Sequence, residues 1–203
     1  MEFSAWATLA TICLMGAMMP GPSLVVVLKH TVAGGRRNGL VTGIAHGFGM
    51  ACYATLTIMG LAAVINESPL LFNVIRYASV IFLLWMAYQA LTSKSALSKL
   101  EQHSGSVTIK QSFFEGLMIT FLNPKLALFF LALFSQFIQA EAGWQQNIVL
   151  VGTAAGIDTL WYCLIAVVLS QSAMLNKLRN NTHIIEKITG IVLLLIAARV
   201  LVE

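Results

Sequence analysis

The sequence predicts an all-α integral membrane protein of six transmembrane helices, arranged as two inverted three-helix repeats in which helices one and four are broken. Composition is the first observation behind this reading. Of 203 residues, 58% are hydrophobic and only 10% are charged, whereas a soluble domain carries roughly 25% charged and about 45–50% apolar residues. So few charges cannot cover the surface of a water-soluble fold. The second observation is six apolar stretches long enough to cross a bilayer, whose hydrocarbon core of about 30 Å needs about 20 helical residues. The third is that two of those stretches carry proline deep in their spans. Apolar residues run continuously rather than alternating as in an outer-membrane barrel. A helix also satisfies its own backbone hydrogen bonds in lipid.

Segment one, Ala5–Leu28, follows Met1-Glu2-Phe3 and contains Pro20-Gly21-Pro22. It lacks the basic start of a signal peptide and is read as a retained helix. Segment two is Gly39–Ile65, where Gly35, Gly39, Gly43 and Gly47 recur every four residues. Such a face lets helices approach closely. His46, beside that face, is expected to be a packed, hydrogen-bonded residue. Segment three is Leu70–Leu91, with Arg76 near its external end, able to snorkel to the interface. The polar stretch Thr92–Ser112 then divides the chain into a first repeat, residues 1–92, a linker, 93–112, and a second repeat, 113–203. Segment four, Phe113–Ile138, holds Glu115 near its start, where a carboxylate suits a helix N-terminus, and Asn123-Pro124-Lys125 about halfway. Segment five, Asn147–Ser170, carries Gly152, Gly156 and Asp158, and segment six is Ile184–Val202, with Arg199 near its end. Trp6 and Trp144 read as interfacial anchors. Cys13, Cys52 and Cys163 all fall inside segments without a CxxC pair, as packing residues do.

Orientation follows from the basic residues. Lys29, Arg36 and Arg37 lie between segments one and two, Lys94, Lys99 and Lys110 between three and four, and Lys177, Arg179 and Lys187 between five and six. The other two loops hold only Glu67 and Glu141. The positive-inside rule then places both termini outside the cytoplasm. The net charge of +4 reports this topology and not a nucleic-acid partner. Because three is odd, the two halves sit in the membrane with opposite orientation. Gly43-x-Ala45-x-Gly47 followed by Tyr53 in segment two matches Gly152-x-Ala154-x-Gly156 followed by Tyr162 in segment five. Inverted repeats with interrupted helices at matching positions are the pattern of secondary transporters.

The chemistry concentrates at the breaks. Two prolines in Pro20-Gly21-Pro22 remove two backbone donors, and the glycine between them gives the helix no support. Each break frees N–H groups at the start of the next half-helix, and their partial positive charge suits a carboxylate. Asp158 and Lys125 stand near the middle of their segments, where a charge costs about 2.5–3.5 kcal/mol and needs a partner or a wet cavity. Their similar depth predicts a mutual ion pair. The candidate substrate-binding residues are Pro20, Gly21, Pro22, Ser23, Asn123, Pro124, Lys125 and Asp158, with Asp158 the candidate proton carrier.

These residues resemble the LysE/RhtB family of bacterial amino-acid exporters. The resemblance runs through Met19-Pro20-Gly21-Pro22-Ser23-Leu24, Gly35 and Gly39, and Ser68-Pro69-Leu70-Leu71-Phe72-Asn73-Val74-Ile75-Arg76-Tyr77 in the first half. In the second it runs through Phe113-x-x-Gly116, Asn123-Pro124-Lys125 and Phe134-Ser135-Gln136-Phe137. It implies export driven by the proton-motive force across the bacterial cytoplasmic membrane. The family's first motif falls on Pro20, Gly21 and Pro22, its second on Asn123, Pro124 and Lys125, and its acidic position on Asp158. The chain departs from the family at Gly49-Met50, where many members carry an acidic residue, and at Ser23, often Asp or Asn there. One charge fewer points to a neutral substrate such as threonine, homoserine, homoserine lactone or leucine. No cofactor is expected. A metal-cation exporter is the alternative, though His46, Asp158 and scattered cysteines supply few ligands, and a membrane-embedded enzyme would need a His and Glu cluster that the sequence lacks. The glycine faces would also serve a homo-oligomer.

Overall fold

The computed structural model describes residues 1–92, 107–138, 143–169 and 172–202, with side chains in the last helix placed for 181–198. Seven helices follow in order: α1 (Phe3–Met18), α2 (Pro22–Glu67), α3 (Pro69–Thr92), α4 (Ile109–Leu122), α5 (Pro124–Phe134), α6 (Trp144–Val168) and α7 (Ser172–Val202). The described residues contain no strand, as the composition required. By length and hydropathy α2, α3, α6 and Asn181–Ala198 of α7 are able to cross a membrane, and α4 with α5 makes a fifth span if the bent pair counts as one. At 16 residues α1 is too short to cross alone.

The helices differ from the six expected segments in instructive ways. Segment one is divided between α1 and the start of α2, as its two prolines predict. At 46 residues α2 would be roughly 70 Å long if straight, over twice the hydrocarbon thickness. It bends instead at Gly35, whose φ of 75° and ψ of −178° lie outside helical space and favour glycine. Segment four begins earlier than its apolar run, at Ile109, because Thr108 and Gln111 form a reciprocal capping box that draws Lys110 into the helix. The remaining linker residues, 93–106, lie outside the described residues, as do Glu141 and the side chains of Lys177, Arg179 and Arg199.

Glycines decide how α2 packs. A Cβ on Gly39 would meet Ala166, one on Gly43 would meet Tyr162, and one on Gly47 would overlap Thr159. Rising numbers on α2 face falling numbers on α6, so the two helices run antiparallel. Against α4 the order is the same on both sides, with Asn38 bonded to Ser112, Thr42 against Gly116 and Gly49 against Thr120, so those helices run parallel. The packing role read for the α2 glycine face holds at Gly39, Gly43 and Gly47 but not at Gly35, where the helix bends. Gly152 and Gly156 behave differently, since a Cβ on either meets nothing within 4 Å. A large core cluster includes Leu9, Ile12, Met86 and Leu133, and Phe130 stacks on Phe134 at 5.2 Å and 8°. Outside it, large apolar side chains face outward: Leu160 is 72% exposed and Ile81 68%. That surface suits hydrocarbon rather than water.

The α2–α4 contact is the most sensitive to added volume, because a Cβ on Gly116 would stand 2.5 Å from the Thr42 carbonyl oxygen and 3.0 Å from its Cα, both backbone atoms. Gly116→Val should therefore lower stability by about 1–3 kcal/mol. Gly152→Val, in open space, should leave it near wild type. Thermal unfolding of the detergent-solubilised protein, followed by size-exclusion chromatography, distinguishes the two.

Candidate functional site

Two interruptions in helical hydrogen bonding create the site. α1 closes with the Met19 N–H donating to the Met15 carbonyl at 3.1 Å, and Pro20 then supplies no donor. Met19 and Gly21 are extended, and α2 restarts with Pro22 at its first position. No side chain caps the α2 N-terminus, because Gly21 occupies the capping position. The second break is built differently. Asn123 ends α4 and caps α5, its Oδ1 accepting from the Lys125 backbone N–H at 3.1 Å, while Pro124 takes the first helical position and the axis bends by 60°. One half-helix terminus is thus capped by its own chain and the other is left open to an external acceptor.

The fold brings the two breaks together. Asn123 Nδ2 donates to Ser23 Oγ at 3.3 Å, and Lys125 Nζ reaches Met19 Sδ. Gly21, Pro22, Ser23, Asn123, Lys125 and Tyr162 all line one cavity of about 30 Å³. That volume holds one or two waters and is too small for an amino acid, so the described conformation is closed at this point. Pro20 and Pro124 do not line it. What the structure shows of both is that they interrupt the helices beside it.

Asp158 stands apart from the cavity with a partner of its own. It is 3% exposed, and its Oδ2 lies 2.7 Å from Nδ1 of the fully buried His46. The ion pair expected between Asp158 and Lys125 is not formed. Lys125 turns toward the first break, while the close α2–α6 approach at Gly43 and Gly47 delivers His46 to Asp158. His46 Nε2 is buried without a hydrogen-bond partner among the described residues. The Tyr162 ring meets the His46 ring edge-on, centroids 4.9 Å apart at 81°, and Tyr162 lines the cavity together with Ser23. The cavity shared by Ser23 and Tyr162 therefore joins Asn123, bonded to Ser23, to His46 and Asp158 beyond the Tyr162 ring. His46 is packed and hydrogen-bonded, as the sequence predicts, but its bond to Asp158 was not anticipated. The available signal was that Asp158 needs a mid-span partner and that His46 and Lys125 are the only candidates at comparable depth.

A second polar cluster joins the first half of α2 to α4. Glu115 Oε2 lies 2.8 Å from Lys29 Nζ and 2.9 Å from His30 Nε2, and His30 Nδ1 lies 2.9 Å from Ser112 Oγ. Asn38 Nδ2 donates to Ser112 Oγ and to the Val107 carbonyl. Glu115, read from the sequence as a helix-terminus carboxylate, is instead the hub of this cluster. Among the described residues no group of three or more His, Cys, Asp and Glu side chains is arranged to hold a metal ion, and all three cysteines are free.

Comparison with known proteins bears on the family of the chain. The LysE type translocator family matches residues 14–203. The uncharacterized membrane protein YrhP of Bacillus subtilis is 26% identical over 90% of this chain and 91% of its own length. YahN of Escherichia coli, also an uncharacterized membrane protein, is 28% identical over 91% of this chain and 83% of its own. A leucine efflux protein of Klebsiella pneumoniae is 35% identical, over 62% of this chain and 59% of its own length. The chain thus spans under two thirds of that efflux protein. No solved structure matches. These matches are to membrane proteins and transporters, not to enzymes. A helical, outwardly apolar chain with two proline-broken helices, matched over residues 14–203, belongs to the LysE type translocator family.

Proposed function

We propose that the protein exports small neutral amino acids from the bacterial cytoplasm by proton antiport, leucine foremost and threonine, homoserine and homoserine lactone as further candidates. The observation that carries this reading is the meeting of two helix breaks in one cavity that connects through Tyr162 to a buried His–Asp pair. Leucine leads because relatives matching 62% of the chain are named leucine efflux proteins. In this reading the substrate carboxylate takes the uncapped α2 N-terminus and Lys125. Ser23 and Asn123 hold the rim, and the Tyr162 end of the cavity leads toward Asp158. His46 donates from Nδ1 to Asp158 and leaves Nε2 open to receive a proton. Protonation removes the net negative charge of the pair and changes the electrostatics of the α2–α6 contact.

The same reading has six crossings in two inverted halves, residues 1–92 and 113–203, with both termini outside the cytoplasm. Three features support it. α1 with the start of α2 resembles α4 with α5 in being interrupted by proline, Gly35 turns the chain where an extra loop is needed, and α2 runs parallel to α4 and antiparallel to α6 as alternate crossings require. Rocking of one half against the other would open the cavity to each side in turn.

The test uses inside-out membrane vesicles and a panel of labelled amino acids, with and without an imposed pH gradient. Gradient-dependent uptake of leucine, threonine or homoserine is the expected result, and no uptake of any of them contradicts the reading. Asp158→Asn should abolish gradient-driven uptake while the protein accumulates normally, since an amide oxygen still accepts from His46 Nδ1. A pair that served only to hold the helices together would leave gradient-driven uptake intact in this variant, because the hydrogen bond survives. His46→Ala strands a buried carboxylate and should cost about 3–5 kcal/mol of stability, visible as early thermal aggregation. Lys125→Met should raise the cytoplasmic-face KM by about 10–100-fold, the effect of one hydrogen bond to a charged group.

A further inference from the structure

A larger cavity, of about 240 Å³, lies among α1, α3, α5 and α7 and shares no lining residue with the break site. Its polar residues include Glu2, Arg76 and Gln136, and its apolar wall includes Ile12, Leu83 and Leu133. Neither Glu2 nor Arg76 has a side-chain ion pair or hydrogen bond among the described residues. Gln136 Nε2 donates to Ser135 Oγ, while its Oε1 is buried without a partner. An unpaired cation and an unpaired carboxylate beside an apolar wall complement a zwitterion with an aliphatic side chain. An anion alone would meet Glu2, and a cation alone would meet Arg76.

The two cavities lie in sequence along the same three helices. On α1, Ile12 lines the larger cavity, and Gly16 and Met19 line the smaller. On α3 the order is Leu83 then Met86, and on α5 it is Leu133 then Phe129 and Leu126. Each step is three or four residues, about one helical turn or 5.4 Å. Phe129 stands at the division, 4% exposed. A Cβ on Gly16 would lie 2.6 Å from Phe129 Cζ and 3.0 Å from Cε2, so the ring occupies the space that glycine leaves on α1.

We infer that the larger cavity is a release subsite for the exported amino acid, with Arg76 binding its carboxylate and Glu2 its ammonium group, and that Phe129 seated on Gly16 is the gate between this subsite and the breaks. The inference rests on the export reading above, and on the outside placement of the N-terminus. Gln136 Oε1 supplies a further acceptor for the ammonium group. With 30 Å³ at the breaks and 240 Å³ beyond the gate, the described conformation has closed around the first site and kept the second open.

The test separates the two faces of the transporter. Inside-out vesicles are preloaded with increasing unlabelled leucine, and uptake of labelled leucine from the cytoplasmic face is timed. Arg76→Gln and Glu2→Gln should each raise the luminal leucine inhibition constant about tenfold relative to the cytoplasmic-face KM, the scale of one lost charge-assisted contact. Isoamylamine, which lacks the carboxylate, should inhibit wild type from the lumen far less than leucine does, and Arg76→Gln should narrow that difference. Both residues are exposed at the protein surface, so their loss leaves the core intact, and the analogue comparison in wild type stands even if one variant is poorly made. Equal shifts at both faces, or an unchanged luminal constant in both variants, overturn the release subsite while leaving export standing. Wild-type vesicles that move none of the panel overturn the export reading itself and the subsite with it.

Discussion

Backbone amides cannot go unpaired in hydrocarbon, and this chain interrupts its helices twice inside the apolar core. Much of the architecture answers that constraint. At the second break the answer is internal, since Asn123 turns its carboxamide back onto the Lys125 amide and spends its Nδ2 on Ser23 of the first break. At the first break Gly21 has no side chain to offer, and the α2 amides remain without a side-chain cap. Joining the breaks places a capped terminus, a lysine and an uncapped terminus around one small cavity. An acceptor brought by a substrate completes what the chain leaves unfinished, which is the physical basis for reading this cavity as a carboxylate site.

The second demand comes from Asp158. Burial of a carboxylate is tolerable only with a partner held in good geometry, and the partner arrives because α2 carries glycine at positions 39, 43 and 47, where it meets α6 most closely. Gly43 admits the backbone at Tyr162 and Cys163, Gly47 admits Thr159, and His46 between them reaches Asp158. Helix packing and the polar pair are therefore one device. A bulkier residue at either glycine would separate the pair as well as the helices. Tyr162 belongs to both parts, lining the cavity and touching the His46 ring, so a charge change at the pair is felt where the substrate would sit.

Much of this was legible in the sequence. Low charge and long apolar runs gave the helical membrane class, and Pro20, Pro22 and Pro124 marked the interruptions because proline's missing donor acts locally. The four-residue glycine spacing showed that α2 packs closely. Long-range pairing was less legible. Depth along a helix is readable from sequence, but rotation about its axis is not, so similar depth pointed to Lys125 as the partner of Asp158 where the fold supplies His46. The same limit hid the Lys29–Glu115–His30 cluster and the open surroundings of Gly152 and Gly156, which share the α2 spacing but not its neighbours. Element ends were set by caps, as at Thr108, and not by where apolar character begins.

The central claim is that substrate movement at the joined breaks is coupled to a proton at the His46–Asp158 pair. Direct observation of the proton tests it best. Purified protein in liposomes enclosing a pH-sensitive dye should respond to an imposed leucine gradient with proton flux in the opposite direction, and the flux should vanish in Asp158→Asn. Leucine movement of wild-type rate with no change in internal pH would contradict the account.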